Sequence, residues 1–456
     1  ESRVGEVSRA GLFSACPVSV PLLEFRMTNY VSFYSECLVT VKHLRGPIDF
    51  ECPISWDHWI FKNPFINGAA IREALTAKGS KILASRSARY LIITPSTYRD
   101  ELDELALWKQ SKGLTVDFAY VGNGSNDDVT ANRNAIDEYI EDYFQDNYCH
   151  GVYVLIVGDV NVVPSGRSTR IDAGPDFGNG DSDHVYEVLG NDRLPSVYVG
   201  RLSVDNSKDL TTQLGKILSY ERSPVAGDWP TKAVLAANSQ SDDGSYGVSA
   251  SWPSKYAGAV NDIANYGSYT NPPTFDVMHA GAASTSATRA VNQDVIDAID
   301  AGVGHVLYRG HGSGSAWVSG WDGSSNLGNS FDQTNDVLAV RNNAYPIVYS
   351  IACQNSRVLL NDCVAEKWMS QSYGAVAHYS ATVNSYTTEN HERAKGIFRA
   401  IYEGGFNRLA PALAEAERIS LGVMGTGSTW DNNTFCYLLL GDPELTIRQQ
   451  RITPRF

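Results

Sequence analysis

The chain has 456 residues, 43% hydrophobic and 19% charged, which is the composition of a globular protein too long for one simple core. Its formal net charge of −14 argues against a nucleic-acid partner, which needs basic patches, and gives no push toward anionic membranes. No apolar run approaches the ~18 residues needed to cross a bilayer. The seven cysteines leave at least one unpaired, and without a C-x-x-C pair a zinc ribbon is not expected.

Residues 1–86 alternate apolar and polar side chains around Tyr30–Val41, with turns at Pro47, Pro53 and Pro64, so a small β-rich segment is expected there. The first residue is Glu1 rather than Met, which reads as a processed form or a fragment. From Tyr90 the pattern changes. Strands are expected at Tyr90–Thr94, Leu114–Val121, Val152–Val157 and Val197–Leu202. Between and after them, Tyr98–Lys112, Asn134–Tyr148 and Ser207–Arg222 carry apolar residues at helical spacing. Strand–helix–strand units of these lengths imply a parallel sheet with right-handed crossovers.

A turn-rich break from Ser223-Pro224 to Trp229-Pro230 marks a subdomain boundary, dividing the α/β region into 87–230 and 231–456. The second part predicts strands at Ala233–Ala237, Phe275–Met278, Gly304–Tyr308, Ile347–Ala352, Ala375–Tyr379 and Phe435–Leu440. Helices are expected over Ser254–Asn265, Asn292–Ala301, Val364–Gln371 and Pro411–Leu421. Gly122-Asn123-Gly124 and Gly310–Gly314 are glycine-rich but match neither a P-loop nor a dinucleotide fingerprint.

Chemistry concentrates between Gly304 and Cys353. One apolar run ends in Arg309-Gly310-His311-Gly312, and a second ends in Ala352-Cys353 before polar Gln354-Asn355-Ser356. Each strand delivers one reactive side chain at its carboxyl end, the edge where open α/β sheets bind ligands. A lone Cys is commonly a buried core residue and a lone His a structural one, as His305 inside its strand reads. Cys353 instead ends its strand, and glycines flank His311, letting the backbone approach a substrate. A Cys nucleophile needs a base to form thiolate, and imidazole is the usual one.

These residues resemble the caspase-like cysteine peptidases, and within them the gingipain family. The resemblance runs from Arg89 to Arg448. It rests on Gly310-His311-Gly312-Ser313, Ala352-Cys353-Gln354-Asn355, the Leu155–Asp159 strand end, Ser182-Asp183-His184-Val185-Tyr186, Val199-Gly200-Arg201-Leu202-Ser203, Tyr220-Glu221-Arg222 and Gly441-Asp442-Pro443. It implies an α/β fold of caspase-like three-layer α/β/α architecture, with mainly parallel sheets in two adjacent subdomains. Residues 1–86 become either a pro-region remnant or an accessory module. The implied mechanism is attack by Cys353, proton transfer through His311, and an oxyanion held by the backbone N–H groups of Gly312 and Cys353.

The resemblance also assigns the surrounding positions. The residue orienting His311 falls on Gln240 in an ungapped reading, or on Asp242 or Asp243 with a small shift, where the family carries an acid. Arginine-selective members place an Asp where this chain has Ser251. Tyr386 matches an aromatic lid residue, and Glu389 and Glu392, in a loop after strand Ala375–Tyr379, are candidate acids of a pocket for basic P1 residues. As plain loop glutamates they would be solvated. Self-processing is expected at Arg86 or Arg89. No catalytic cofactor is implied. Structural Ca²⁺ is conceivable in the Asp172–Asp183 and Asp242-Asp243 turns, although EF-hand spacing is missing and solvated acidic loops are the plainer reading. The resemblance thus implies a secreted or cell-surface cysteine endopeptidase acting on proteins or peptides. An inert surface or adhesion module on the same fold is the alternative.

Overall fold

The computed structural model describes short strand segments within residues 3–19, and residues 88–453 without 148–150, 172–179, 191, 239–254, 280–291, 319–329 and 360–361. The early segments form two small antiparallel pairs, Arg3–Val4 with Val18–Ser19 and Ser8–Ala10 with Phe13–Ala15.

The first α/β stretch contains β1 (Arg89–Thr94), α1 (Asp103–Ser111), β2 (Thr115–Gly122), β3 (Val129–Thr130), α2 (Arg133–Asn147), β4 (Val152–Val157), β5 (Tyr198–Leu202) and α3 (Ser207–Arg222). Its boundaries follow local chemistry. The Asn206 side chain caps α3 by accepting from the Lys208 and Asp209 N–H groups at 3.0 and 3.1 Å, and Ser223-Pro224 ends it. Leu210, Leu214, Ile217 and Tyr220, spaced three and four apart, form its buried stripe.

The second stretch continues with β6 (Lys232–Ala237), α4 (Lys255–Ala264), β7 (Thr274–His279), α5 (Asn292–Asp300) and β8 (His305–Arg309). A three-stranded antiparallel ribbon follows, made of β9 (His311–Ser313), β10 (Ala316–Val318) and β11 (Phe331–Asp332). Then come β12 (Ile347–Ile351), α6 (Val364–Ser370), β13 (Ala377–Ala381), α7 (Thr387–Tyr402), α8 (Leu409–Met424), α9 (Ser428–Phe435) and β14 (Tyr437–Gly441).

One 11-stranded sheet runs through both stretches in the order β7-β6-β8-β12-β13-β14-β5-β4-β1-β2-β3. Every pairing in it is parallel except β13 with β14. β14 joins the halves, antiparallel to β13 on one side and meeting β5 through Leu440 and Arg201 on the other. Strands buried on both faces need near-continuous apolar sequence, which Tyr90-Leu91-Ile92-Ile93 and Val152–Val157 supply. In the second half, Leu235, Leu307, Tyr349 and Ile351 share one face with Val260 and Ile263 of α4 and Ile397 and Phe398 of α7. Val234, Val306, Tyr308 and Val348 share the other with Trp317 of the ribbon and Trp368 of α6.

A buried ion network ties the halves at the end of β14. Lys109 of α1 donates to Glu221 at 3.1 Å, to Glu444 at 2.8 Å and to Asp442. Lys112 bridges Glu221 and Glu444, and the Tyr90 hydroxyl donates to Asp442 at 2.8 Å. The Gly441-Asp442-Pro443 turn is therefore a structural joint, its Asp442 carboxylate converging with Glu221 and Glu444 on the Lys109 ammonium group.

Candidate active site

β8 and β12 lie side by side and parallel, with Arg309 opposite Ile351. His311 and Cys353 each stand two residues beyond that last register pair, so neighbouring strand ends present them level with one another. Alternation puts both on one face, because Leu307, Tyr349 and Ile351 all belong to the core under α4 and α7. The His311 ring lies on this side, packing edge-on against Tyr256 of α4 with centroids 5.6 Å apart.

The turn after each strand is specific. Gly312 lies so close to Cys353 that a Cβ on it would stand 2.2 Å from the Cys353 carbonyl oxygen. Only glycine fits, which explains the residue after the histidine. After Cys353 the chain turns sharply through Gln354, whose φ is +57°. A non-glycine residue in that region is strained, and such strain gathers at functional sites. Asn355, fully buried, then reaches across to the ribbon. Its amide donates to the Ser313 carbonyl at 2.6 Å and the Ala316 carbonyl at 3.0 Å, and its oxygen accepts from Ser350 at 2.5 Å. One side chain thus fixes the His311–Gly312 segment against the Cys353 turn.

The sulfur is cradled by the segment leading into α7. The Ser385 N–H donates to Cys353 Sγ at 3.4 Å, and the thiol faces the Ser385 carbonyl at 3.6 Å. That segment is itself held. Asn390 donates to the Ser385 hydroxyl at 2.8 Å, Asn433 donates to Asn390 at 2.6 Å, and the Asn433 oxygen accepts from the Tyr386 N–H at 2.5 Å. Cys353 is a free, partly accessible cysteine, whereas the free Cys363 and Cys436 are buried. Burial pushes both of those thiols up, Cys363 well above the usual range. His311 is exposed at the surface, yet crowding around its ring and the nearby cations Lys255 and Arg309 lower its imidazole below the ordinary value. A neutral base beside an accessible thiol can take the thiol proton and return it to a leaving group.

The other expected positions divide. Gln240, Asp242, Asp243 and Ser251 lie outside the described residues, as does Arg86. Tyr386 is 39% exposed at the mouth of the Cys353 cradle. Glu389 and Glu392 are not in a loop. They occupy the first two turns of α7, where packing against α8 and α4 holds the segment helical and an acid in the first turn suits the helix dipole. Glu389 is 7% exposed and no cation among the described residues pairs with it, whereas Glu392 pairs with Lys395. Arg89 is no open cleavage site. It begins β1, and its N–H donates to the Gly151 carbonyl at 2.9 Å. In the Asp172–Asp183 turn, Asp181 binds Arg133 and Arg167, and Asp183 holds Arg201 through two bonds of 2.6 and 2.9 Å. Those two carboxylates are taken up by arginines and are not idle Ca²⁺ ligands. Residues 172–179 lie outside the described residues.

A mainly parallel α/β sheet presenting Cys and His at adjacent strand ends is the layout of the caspase-like fold. Residues 83–448 match peptidase family C25, and the chain belongs to that family. Gingipain R2 of Porphyromonas gingivalis is 27% identical over 334 residues, which is 71% of this chain and 40% of that protein. Lys-gingipain of the same species is 23% identical over 174 residues, 37% of this chain and 9% of that protein. This chain therefore spans less than half the length of these relatives. The crystal structure of the Arg-specific cysteine proteinase gingipain R superposes with a TM-score of 0.64 at 21% identity, covering 80% of each chain, and so shares its fold.

Proposed function

We propose that this chain is a cysteine endopeptidase in which Cys353 attacks the scissile carbonyl and His311 relays the proton through an acyl-enzyme. The observation that carries the reading is the level placement of His311 and Cys353 beyond the Arg309–Ile351 register pair, with Gly312 packed on the Cys353 backbone. In the first step the thiol proton passes to His311 as sulfur bonds to carbon. The oxyanion forms against the Gly312 and Cys353 N–H groups, and His311 then protonates the departing amine. Water deacylates the enzyme with His311 again as base. An inert adhesion module has no use for a strained Gln354 turn and an Asn355 clamp around a matched His and Cys.

For specificity, a basic P1 residue fits best. Relatives named for Arg and Lys specificity support it, and so does Glu389, a nearly buried carboxylate three residues from Tyr386 that no cation among the described residues pairs with. A buried carboxylate is costly until a cation meets it, and an incoming guanidinium or ammonium would supply one. Glu392 is already neutralised by Lys395 and is the weaker candidate. Secretion and release of residues 1–86 at Arg86 belong to the same reading. A fluorogenic peptide panel varied at P1 tests it: cleavage after Arg or Lys that disappears in His311→Ala is expected, and no cleavage after any P1 would reject it.

A further inference from the structure

Arg309 is 0% exposed, no carboxylate among the described residues forms an ion pair with it, and several other ionisable groups face it. They are Tyr308 on its own strand, Tyr256 of α4 (which also carries Lys255), His391 of α7, Tyr437 of β14, and Cys353. A buried guanidinium without a counter-ion is expensive, so its bonds must supply what a carboxylate does not. Its two terminal nitrogens reach three places. One donates to the Ile351 carbonyl, two residues before Cys353. The other donates to the Thr387 carbonyl at 3.2 Å, two residues after Ser385, and to His391 Nδ1 at 2.8 Å. The Arg309 Cζ lies over the Tyr256 ring, 5.3 Å from its centroid, and Tyr256 in turn packs against His311.

We propose that Arg309 is a positioning residue for the Cys353/His311 pair: its guanidinium fastens the ends of β8 and β12 to the start of α7 and sets a positive charge beside the reacting sulfur. The planar fork suits this task, since one group must meet carbonyls on two separate segments and an imidazole nitrogen at once. Accepting from Arg309 requires His391 to be neutral at Nδ1, and burial together with Arg309 pushes that imidazole down to about 2. The same cation, with Lys255, disfavours imidazolium at His311. This inference rests on the dyad reading above.

The test pairs two variants with two readouts. The first is the pH profile of iodoacetamide alkylation of Cys353, followed by peptide mapping, which needs no substrate. The second is kcat and KM on an Arg-P1 peptide. Arg309→Gln removes the charge, and the pH of half-maximal alkylation should move up by about one unit, slowing labelling at pH 6.5 roughly tenfold. Arg309→Lys keeps a cation but not the fork, so its alkylation profile should stay within roughly 0.3 unit while kcat falls about tenfold with KM little changed. Should Arg309→Gln fail to fold, Arg309→Lys alone decides: parent-like kcat overturns the proposal. A folded Arg309→Gln with the parent's alkylation profile also overturns it, leaving Arg309 a purely structural residue. A parent without turnover would defeat the peptidase reading but leave the alkylation comparison intact.

Discussion

Gly312 and Cys353 come together without space for one side-chain carbon: a Cβ on Gly312 would stand 2.2 Å from the Cys353 carbonyl oxygen. The backbone after His311 and the backbone of Cys353 are thus in direct contact, and in the proposed mechanism their amide groups share one oxyanion. Gly312→Ala must push these apart. Its kcat/KM should fall by roughly 100-fold or more, the usual cost of losing an oxyanion donor. Steady-state kinetics alongside a thermal melt check this, and a folded variant with parent-like turnover would count against the oxyanion assignment.

In the proposed function, Glu389 carries the charge of the P1 pocket. Glu389→Gln should lower kcat/KM for an Arg-P1 peptide roughly tenfold, about 1.4 kcal/mol, with little change for a Leu-P1 peptide. Glu392→Gln should leave the Arg-to-Leu ratio close to the parent's, since Lys395 already pairs with that carboxylate. An unchanged ratio in Glu389→Gln would show that this carboxylate does not read P1.

Lys109 is the hub of the joint between the two halves of the sheet. Removing its charge leaves Glu221, Asp442 and Glu444 crowded together, with Lys112 and Arg408 against them among the described residues. Lys109→Met should cost about 3–5 kcal/mol of stability in urea unfolding, as breaking a buried ion cluster does. A loss under ~1 kcal/mol would mean that the network contributes little.

Much of this is legible in the sequence, and the limits have physical causes. The β8 and β12 strands, with His311 and Cys353 at their ends, can be read because buried strands are local apolar runs bounded by glycine and polar residues. Asn355 stands within the Ala352–Asn355 motif, but its bonds to Ser313 and Ala316 span about forty residues of chain and leave no periodic trace. Arg309 is legible only as the polar end of a strand, since its partners lie on another strand and a distant helix. The helix Thr387–Tyr402 reads partly as a loop because its opening residues are polar and β-branched, and packing against α8 and α4 overrides that local preference. The continuity of the sheet across residue 230 depends on β14 inserting between β13 and β5, a long-range event that no local pattern encodes.

Four buried imidazoles among the described residues, those of His184, His305, His378 and His391, give the fold an acid-side liability. Burial lowers His305 to about 4, His378 to about 3 and His391 to about 2. Each binds a proton more readily when unfolded, so its contribution is whole above about pH 6.5 and is lost as pH falls toward the folded value. Glu187, raised by burial to about 8, acts with the opposite sign between about pH 4.5 and 8 and offsets part of the loss. A difference measurement isolates one group. The stability advantage of the parent over His378→Asn should shrink by about 1.4 kcal/mol per pH unit from pH 6 down to about pH 4. A difference independent of pH would show that His378 is not held neutral.

The most direct test of the central claim is turnover by Cys353→Ala. A protein preparation that melts like the parent should be assayed on the peptide that the parent cleaves best. With Cys353 as the nucleophile, kcat should fall by roughly 10⁴-fold or more, to the level left by binding and the oxyanion site alone. Turnover comparable to the parent's would contradict that role, because the chemistry would then be carried by some residue other than Cys353.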